Sequence, residues 1–105
     1  MIFILTTCKN TVEAKRIATM LLRLRLVACA KWWPIASLYW WKEKLRNDRE
    51  VVLLCEAPKT HFAKIERLIR RVHSYAIPCM VSWDIQRGSK QYMRWLNASL
   101  LPQRF

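Results

Sequence analysis

The chain has one glycine, Gly88, in 105 residues. A Gly-rich phosphate loop is therefore excluded, and few backbone positions can take a positive φ cheaply. Acids are scarce too: 7 Asp and Glu stand against 19 Lys and Arg, a formal net charge of +12. No serine elbow and no pair of acids at a catalytic spacing is present, so the residues give an enzyme little support. No apolar run is long enough to span a bilayer. The opening MIFILTTC has no basic residue before it and reads as a buried strand, not a signal peptide. CxxC pairs are missing as well. Cys8, Cys29, Cys55 and Cys79 stand far apart, which argues against a zinc ribbon or a thioredoxin-type site. The expected compartment is the reducing cytoplasm, with free thiols.

What the chain has in quantity is positive charge and aromatic surface. SLYWWKEKLRNDREVVLLCE, residues 37–56, runs from three aromatics through a burst of charge into aliphatics, and Trp32 and Trp33 lie just upstream. Such aromatics can stack on nucleic acid, sit at a membrane surface, or pack against another chain. The length allows one domain over residues 1–105, with a core large enough to fold without staples.

Residues 2–7 are apolar and β-branched and read as a first strand. Asn10 with Glu13 resembles a capping box. A helix then runs to Leu26, with Ile17, Leu21 and Leu24 on one face. Residues 27–41 read as extended, with Pro34 marking an edge or a bulge. The turn is expected at Lys42–Glu43–Lys44, and a second long strand ends in Val51–Leu54. Pro58 and Thr60 open a second helix with Phe62, Ile65, Ile69 and Val72 inward. Residues 75–86 read as a last strand. KQYMRWLNASL reads as a terminal helix carrying Tyr92, Trp95 and Leu96 inward. The order predicts an α+β fold: a ferredoxin-like βαββαβ sandwich with a long hairpin and a short C-terminal appendage.

Three uses of the surface compete. RNA-binding sheets of this class carry a basic-aromatic motif on a central strand, which this chain lacks, so specific nucleic-acid recognition is not expected. A basic nucleic-acid-binding module remains the alternative of another class. Membrane binding fits less well, because the tryptophans lie on a strand and not on one helix face. A long hairpin with aromatic faces is an aggregation hazard unless something covers it, and copies of the same hairpin would do so. Cys8, His73 and Cys79 are candidate metal ligands. Thiol and imidazole together suit copper or zinc, and all three lie near strand ends that a split βαβ sheet can bring together. The competing reading is buried thiols and a surface imidazole.

Several segments, in order, resemble the CutA divalent-cation-tolerance family. ILTTC (4–8) is similar to its opening strand. VACAKWWPIASLYWWKEKL (27–45) matches the family pattern at Ala28, Cys29, Pro34, Ser37, Tyr39, Trp41 and Lys44. EVVLL (50–54) is similar to its third strand. HSYAIP (73–78) matches at His73, Tyr75 and Pro78, and YMRWLNASL (92–100) resembles its terminal segment. The resemblance implies a homotrimer with hairpins pairing between subunits, and Tyr39, Trp41, Tyr92 and Trp95 at interfaces or in the core. It also implies a role in copper tolerance with no required cofactor and no catalysis. A small-ligand trimer of PII-like type is a further alternative. This chain departs from the pattern. Ile35 and Glu43 stand where the family has glycine, Ser74 replaces a proline, and Cys79 replaces a glutamate. Glu56–Ala57 replaces Lys-Thr. The proposed family ligand positions hold Thr6, Val72 and His73, so only His73 is kept, and Cys8 lies two residues on from Thr6, on the same strand face.

Overall fold

The computed structural model describes residues 1–102. The elements are β1 (Ile2–Cys8), α1 (Thr11–Arg23), β2 (Cys29–Trp41), β3 (Lys44–Ala57), a 3₁₀ turn (Lys59–His61), α2 (Phe62–Val72), β4 (Val81–Asp84) and α3 (Lys90–Ser99). The four strands form one antiparallel sheet in the order β2-β3-β1-β4.

Strand alternation sorts the side chains. Ile2, Ile4, Thr6 and Cys8 of β1 join Val51, Leu53, Cys55 and Ala57 of β3 on one face, opposite one another in register. Ala14, Ile17, Ala18 and Leu21 of α1 and Ile65 and Ile69 of α2 complete this core. Their spacing puts each set on one side of its helix. The second sheet face carries Phe3, Trp83, Lys31 and Glu56, and α3 lies against its Cys29–Glu56 end. There Tyr92 Oη donates to Glu56, at 3.0 Å from each carboxylate oxygen. Lys31 Nζ donates to the same carboxylate at 2.6 Å.

Capping explains where α1 starts and stops. Asn10 Oδ1 accepts from Glu13 N at 2.9 Å. The helix ends at Arg23 rather than Leu26, because Arg25 takes φ 57°. Leu26 N then donates to Leu21 O at 3.0 Å, and Arg25 N to Leu22 O at 3.0 Å. That pair of bonds is a Schellman motif, here without its usual glycine. The β2–β3 turn is also built without glycine: Lys42 and Glu43 take φ 49° and 63°. A two-residue turn of that hand matches strand twist, and it pairs Trp41 with Lys44. Lys44 is thus the first residue of β3, not part of the turn.

Pro34 stands on the edge strand, as expected, but without a bulge: Trp33, Pro34 and Ile35 pair in unbroken register with Val52, Val51 and Glu50. Two expectations are corrected. The last strand covers Val81–Asp84, not 75–86. Its first half is drawn off the sheet: Tyr75 N donates to His73 Nδ1 at 3.0 Å, and Pro78 has no N–H to give. On α3, Leu96 is buried, but Trp95 is 52 % and Tyr92 38 % exposed. This helix covers only one end of the sheet, so a single side chain suffices to seat it.

Candidate functional site

Cys8 ends β1, Glu13 lies in the first turn of α1, and His73 caps the end of α2. The fold brings these three ends together. One thiol, one carboxylate and one imidazole place donor atoms within 4.8 Å of one another. Cys8 and Glu13 are buried. Cys79 is exposed, in the segment leading into β4, and is not one of the three. Of the three predicted ligands, the structure therefore joins Cys8 and His73 and adds Glu13.

Every donor in the cluster is engaged or protonated. Glu13 Oε1 accepts from Lys9 N at 3.0 Å and Ser74 Oγ at 3.0 Å. Its Oε2 accepts from Ser74 N at 3.1 Å and lies 3.5 Å from the Arg16 guanidinium. Burial alone would push the Glu13 carboxyl up, but the hydrogen bonds from Lys9 and Ser74, with His73 nearby, leave it below its ordinary value. Because Tyr75 N donates to Nδ1 of His73, Nε2 carries the hydrogen and donates to Thr7 O at 2.8 Å. Both ring nitrogens of a neutral imidazole are thus committed to backbone. Burial first, then Glu13, pushes the Cys8 thiol up to about 12. The donor types suit a soft or borderline cation. Holding one at this cluster requires a proton to leave Cys8 and His73 to give up a backbone partner.

The model of the CutA1 divalent ion tolerance protein family matches residues 2–99. The chain belongs to that family. It is 33% identical over 98 residues to the divalent-cation tolerance protein CutA of Archaeoglobus fulgidus, covering 93% of this chain and 96% of the relative. The CutA of Yersinia pestis is 36% identical over 101 residues, 95% of this chain and 85% of the relative. Among solved structures, the periplasmic CutA of A. fulgidus superposes with a TM-score of 0.92 at 32% identity, covering 96% of this chain and all of that one. CutA1 of Pyrococcus horikoshii gives 0.89 at 26% identity, covering 94% and 97%.

The CutA hairpin carries the second candidate surface. Ser37, Tyr39 and Trp41 project from one face of β2, opposite Asp48, Arg46 and Lys44 of β3. Tyr39 Oη donates to Asp48, and Ser37 Oγ to Glu50. Tyr39 and Trp41 are 38 % and 36 % exposed, and Trp40 on the other face is 73 % exposed. Tyr92 and Trp95 stack on α3, ring centroids 5.7 Å apart. All four predicted interface residues are therefore accessible on the single chain. A cleft of about 720 Å³ opens between this hairpin face and residues 74–79 of the α2–β4 connection. Glu13 and Glu50 escaped the sequence reading as site residues. Glu13 was legible only as a helix cap. Alternation along β3 puts Glu50 on the face of Asp48, but only the register set by the turn places that face with Tyr39.

Proposed function

We propose that the chain is a non-catalytic, homotrimeric CutA protein with ferredoxin-like topology that takes part in divalent-cation tolerance and binds copper weakly. The convergence of Cys8, Glu13 and His73 carries the metal reading. Their existing hydrogen bonds and the raised Cys8 pKa carry the word weakly: each must be undone before a cation is held. Strand order β2-β3-β1-β4 supports the topology. The trimer reading rests on β2, an edge strand of 13 residues whose aromatics stay open on a single chain. Long, apolar strand edges persist in soluble proteins when another strand covers them, and closed cyclic assemblies supply one. Four free cysteines favour a reducing, cytoplasmic setting. No membrane partner and no specific nucleic-acid partner enters this reading.

Native mass spectrometry of the purified protein with added copper tests the proposal. The expected result is a trimer carrying copper at a submaximal level, with His73→Ala lowering that level at equal copper. A monomer removes the assembly reading. Equal copper on parent and His73→Ala removes the cluster as the site.

A further inference from the structure

The cleft beside the hairpin has a composition at odds with the rest of the molecule. The chain carries 19 Lys and Arg, yet this cavity is lined by two of its 7 acids, Asp48 and Glu50, and by a single cation, Arg46, together with Tyr39, Trp41 and Tyr75. Asp48 is already served: Tyr39 donates to it, and Arg46 stands 3.9 Å away. Glu50 has no such cation. It is only 9 % exposed, it accepts from the Ser37 hydroxyl and stands in hydrogen-bonding reach of the Tyr75 hydroxyl, and among the described residues it has no ion-pair partner. Its neighbour Arg49 points to the opposite face of β3 and cannot serve it.

A buried carboxylate without a cation is costly, and such groups are normally paired. The other two buried acids obey this rule: Glu13 has Arg16 and Glu56 has Lys31. Glu50 faces a cavity instead, and its charge is felt there. Burial first, then Glu50, raises the Tyr75 hydroxyl, and the Cys79 thiol is raised in the same order. Aromatic faces around a negative group make a setting that favours cations, and the volume is in the range of small-ligand sites.

We propose that this cleft binds a small organic cation bearing N–H donors, an alkylammonium or a guanidinium, with Glu50 as its counter-charge and Tyr39 and Tyr75 as its aromatic walls. N–H donors favour binding because a charge-assisted hydrogen bond to the Glu50 carboxylate is stronger than charge alone. The proposal does not depend on the metal reading, since Cys8, Glu13 and His73 do not line the cleft.

Isothermal titration of the full chain, in its purified assembly, tests it with agmatine, putrescine and tetramethylammonium as probes. Agmatine or putrescine is expected to bind saturably, and tetramethylammonium, which has no N–H, more weakly. Glu50→Gln should weaken binding roughly tenfold to a hundredfold. Tyr75→Leu, which leaves the hairpin intact, should weaken it about fivefold and keeps the test open if Glu50→Gln fails to fold. Glu66→Gln removes the same charge from α2, outside the cleft, and should leave affinity unchanged. No saturable heat with either amine overturns the proposal. So does an equal loss in Glu66→Gln, which would make the effect general electrostatics. Zinc bound at the cleft in place of the amines, and lost in Glu50→Gln, would assign the carboxylates to a metal and overturn it too.

Discussion

Thr6 stands at the position where the family's first-strand ligand is expected, and it faces the core. It is buried, and its Oγ1 has no hydrogen-bond partner. An unsatisfied buried hydroxyl costs free energy that a methyl of the same shape does not. Thr6→Val should therefore stabilise the fold by about 1 kcal/mol, read as a higher denaturant midpoint at unchanged slope. A lower midpoint would mean that the hydroxyl has a use. Glu13 carries a different consequence. Its folded pKa lies below its ordinary value of 4.5, so the unfolded chain takes up the proton first. The stability it contributes is complete above that value and drains away as pH falls through the lower folded pKa. Glu13→Gln should lose stability at neutral pH and show a flatter acid limb in denaturation midpoints between about pH 5 and pH 2. Parallel acid limbs for the two proteins would contradict this assignment.

The hairpin shows how a small local choice sets a large surface. Lys42 and Glu43 both adopt left-handed backbone, which costs a side-chain-bearing residue about 1 kcal/mol or more. Glu43→Gly should recover about 1 kcal/mol, measured as a rise in thermal midpoint. An unchanged or lower midpoint would place the strain elsewhere. The sequence made this turn visible to within one residue, and that residue mattered. Placing Lys44 in the turn leaves the register open, and a slip of one exchanges the two faces of a strand. Hence Glu50 and Asp48 could not be assigned to the side of Tyr39 and Trp41 in advance. Helices α1 and α2 were legible because Ile17, Leu21, Ile65 and Ile69 repeat at a helical period that nothing contradicts. The start of the fourth strand was not legible. Tyr75 has strand propensity, but the His73 ring captures its N–H, a contact no periodicity announces. For the same reason Glu13 read as a cap: its bonds to Ser74 span 61 residues.

On the scale of the molecule, aromatics concentrate on one side, but positive charge is spread over both, with Lys42, Lys44, Arg46 and Arg49 exposed on the hairpin itself. Aromatics occupy the hairpin, the open sheet face and α3, while Lys64, Arg67 and Arg71 project from α2 on the opposite side. Three of the seven acids are buried, so the outside of the protein is more one-signed than its composition suggests. If copies pair through the hairpins, Trp41 becomes an anchor at their contact. Trp41→Ala should then weaken the assembly by about 3–5 kcal/mol per buried ring while leaving the subunit folded. Sedimentation of the variant should show dissociation at concentrations where the parent is intact, with an unchanged far-ultraviolet spectrum. A variant as stable to dilution as the parent would place Trp41 outside the contact.

The hairpin spans most of a molecule measuring 51 × 28 × 22 Å, and its ladder, from Trp41–Lys44 outward to Cys29–Glu56, closes without help from the rest of the chain. By contrast, β1 must meet partners 43 to 82 residues away, since Cys8 pairs with Val51 and Ile2 with Asp84. Short-range closures are kinetically cheap and distant ones slow. The arm is therefore expected to zip first, leaving the folding chain to display its stickiest strip before the body beneath it has closed. Refolding yield should accordingly fall as protein concentration rises, and a yield indifferent to concentration would mean that body and arm form together. What makes this arm adhesive in the finished molecule also makes the chain's crowding history part of its fate.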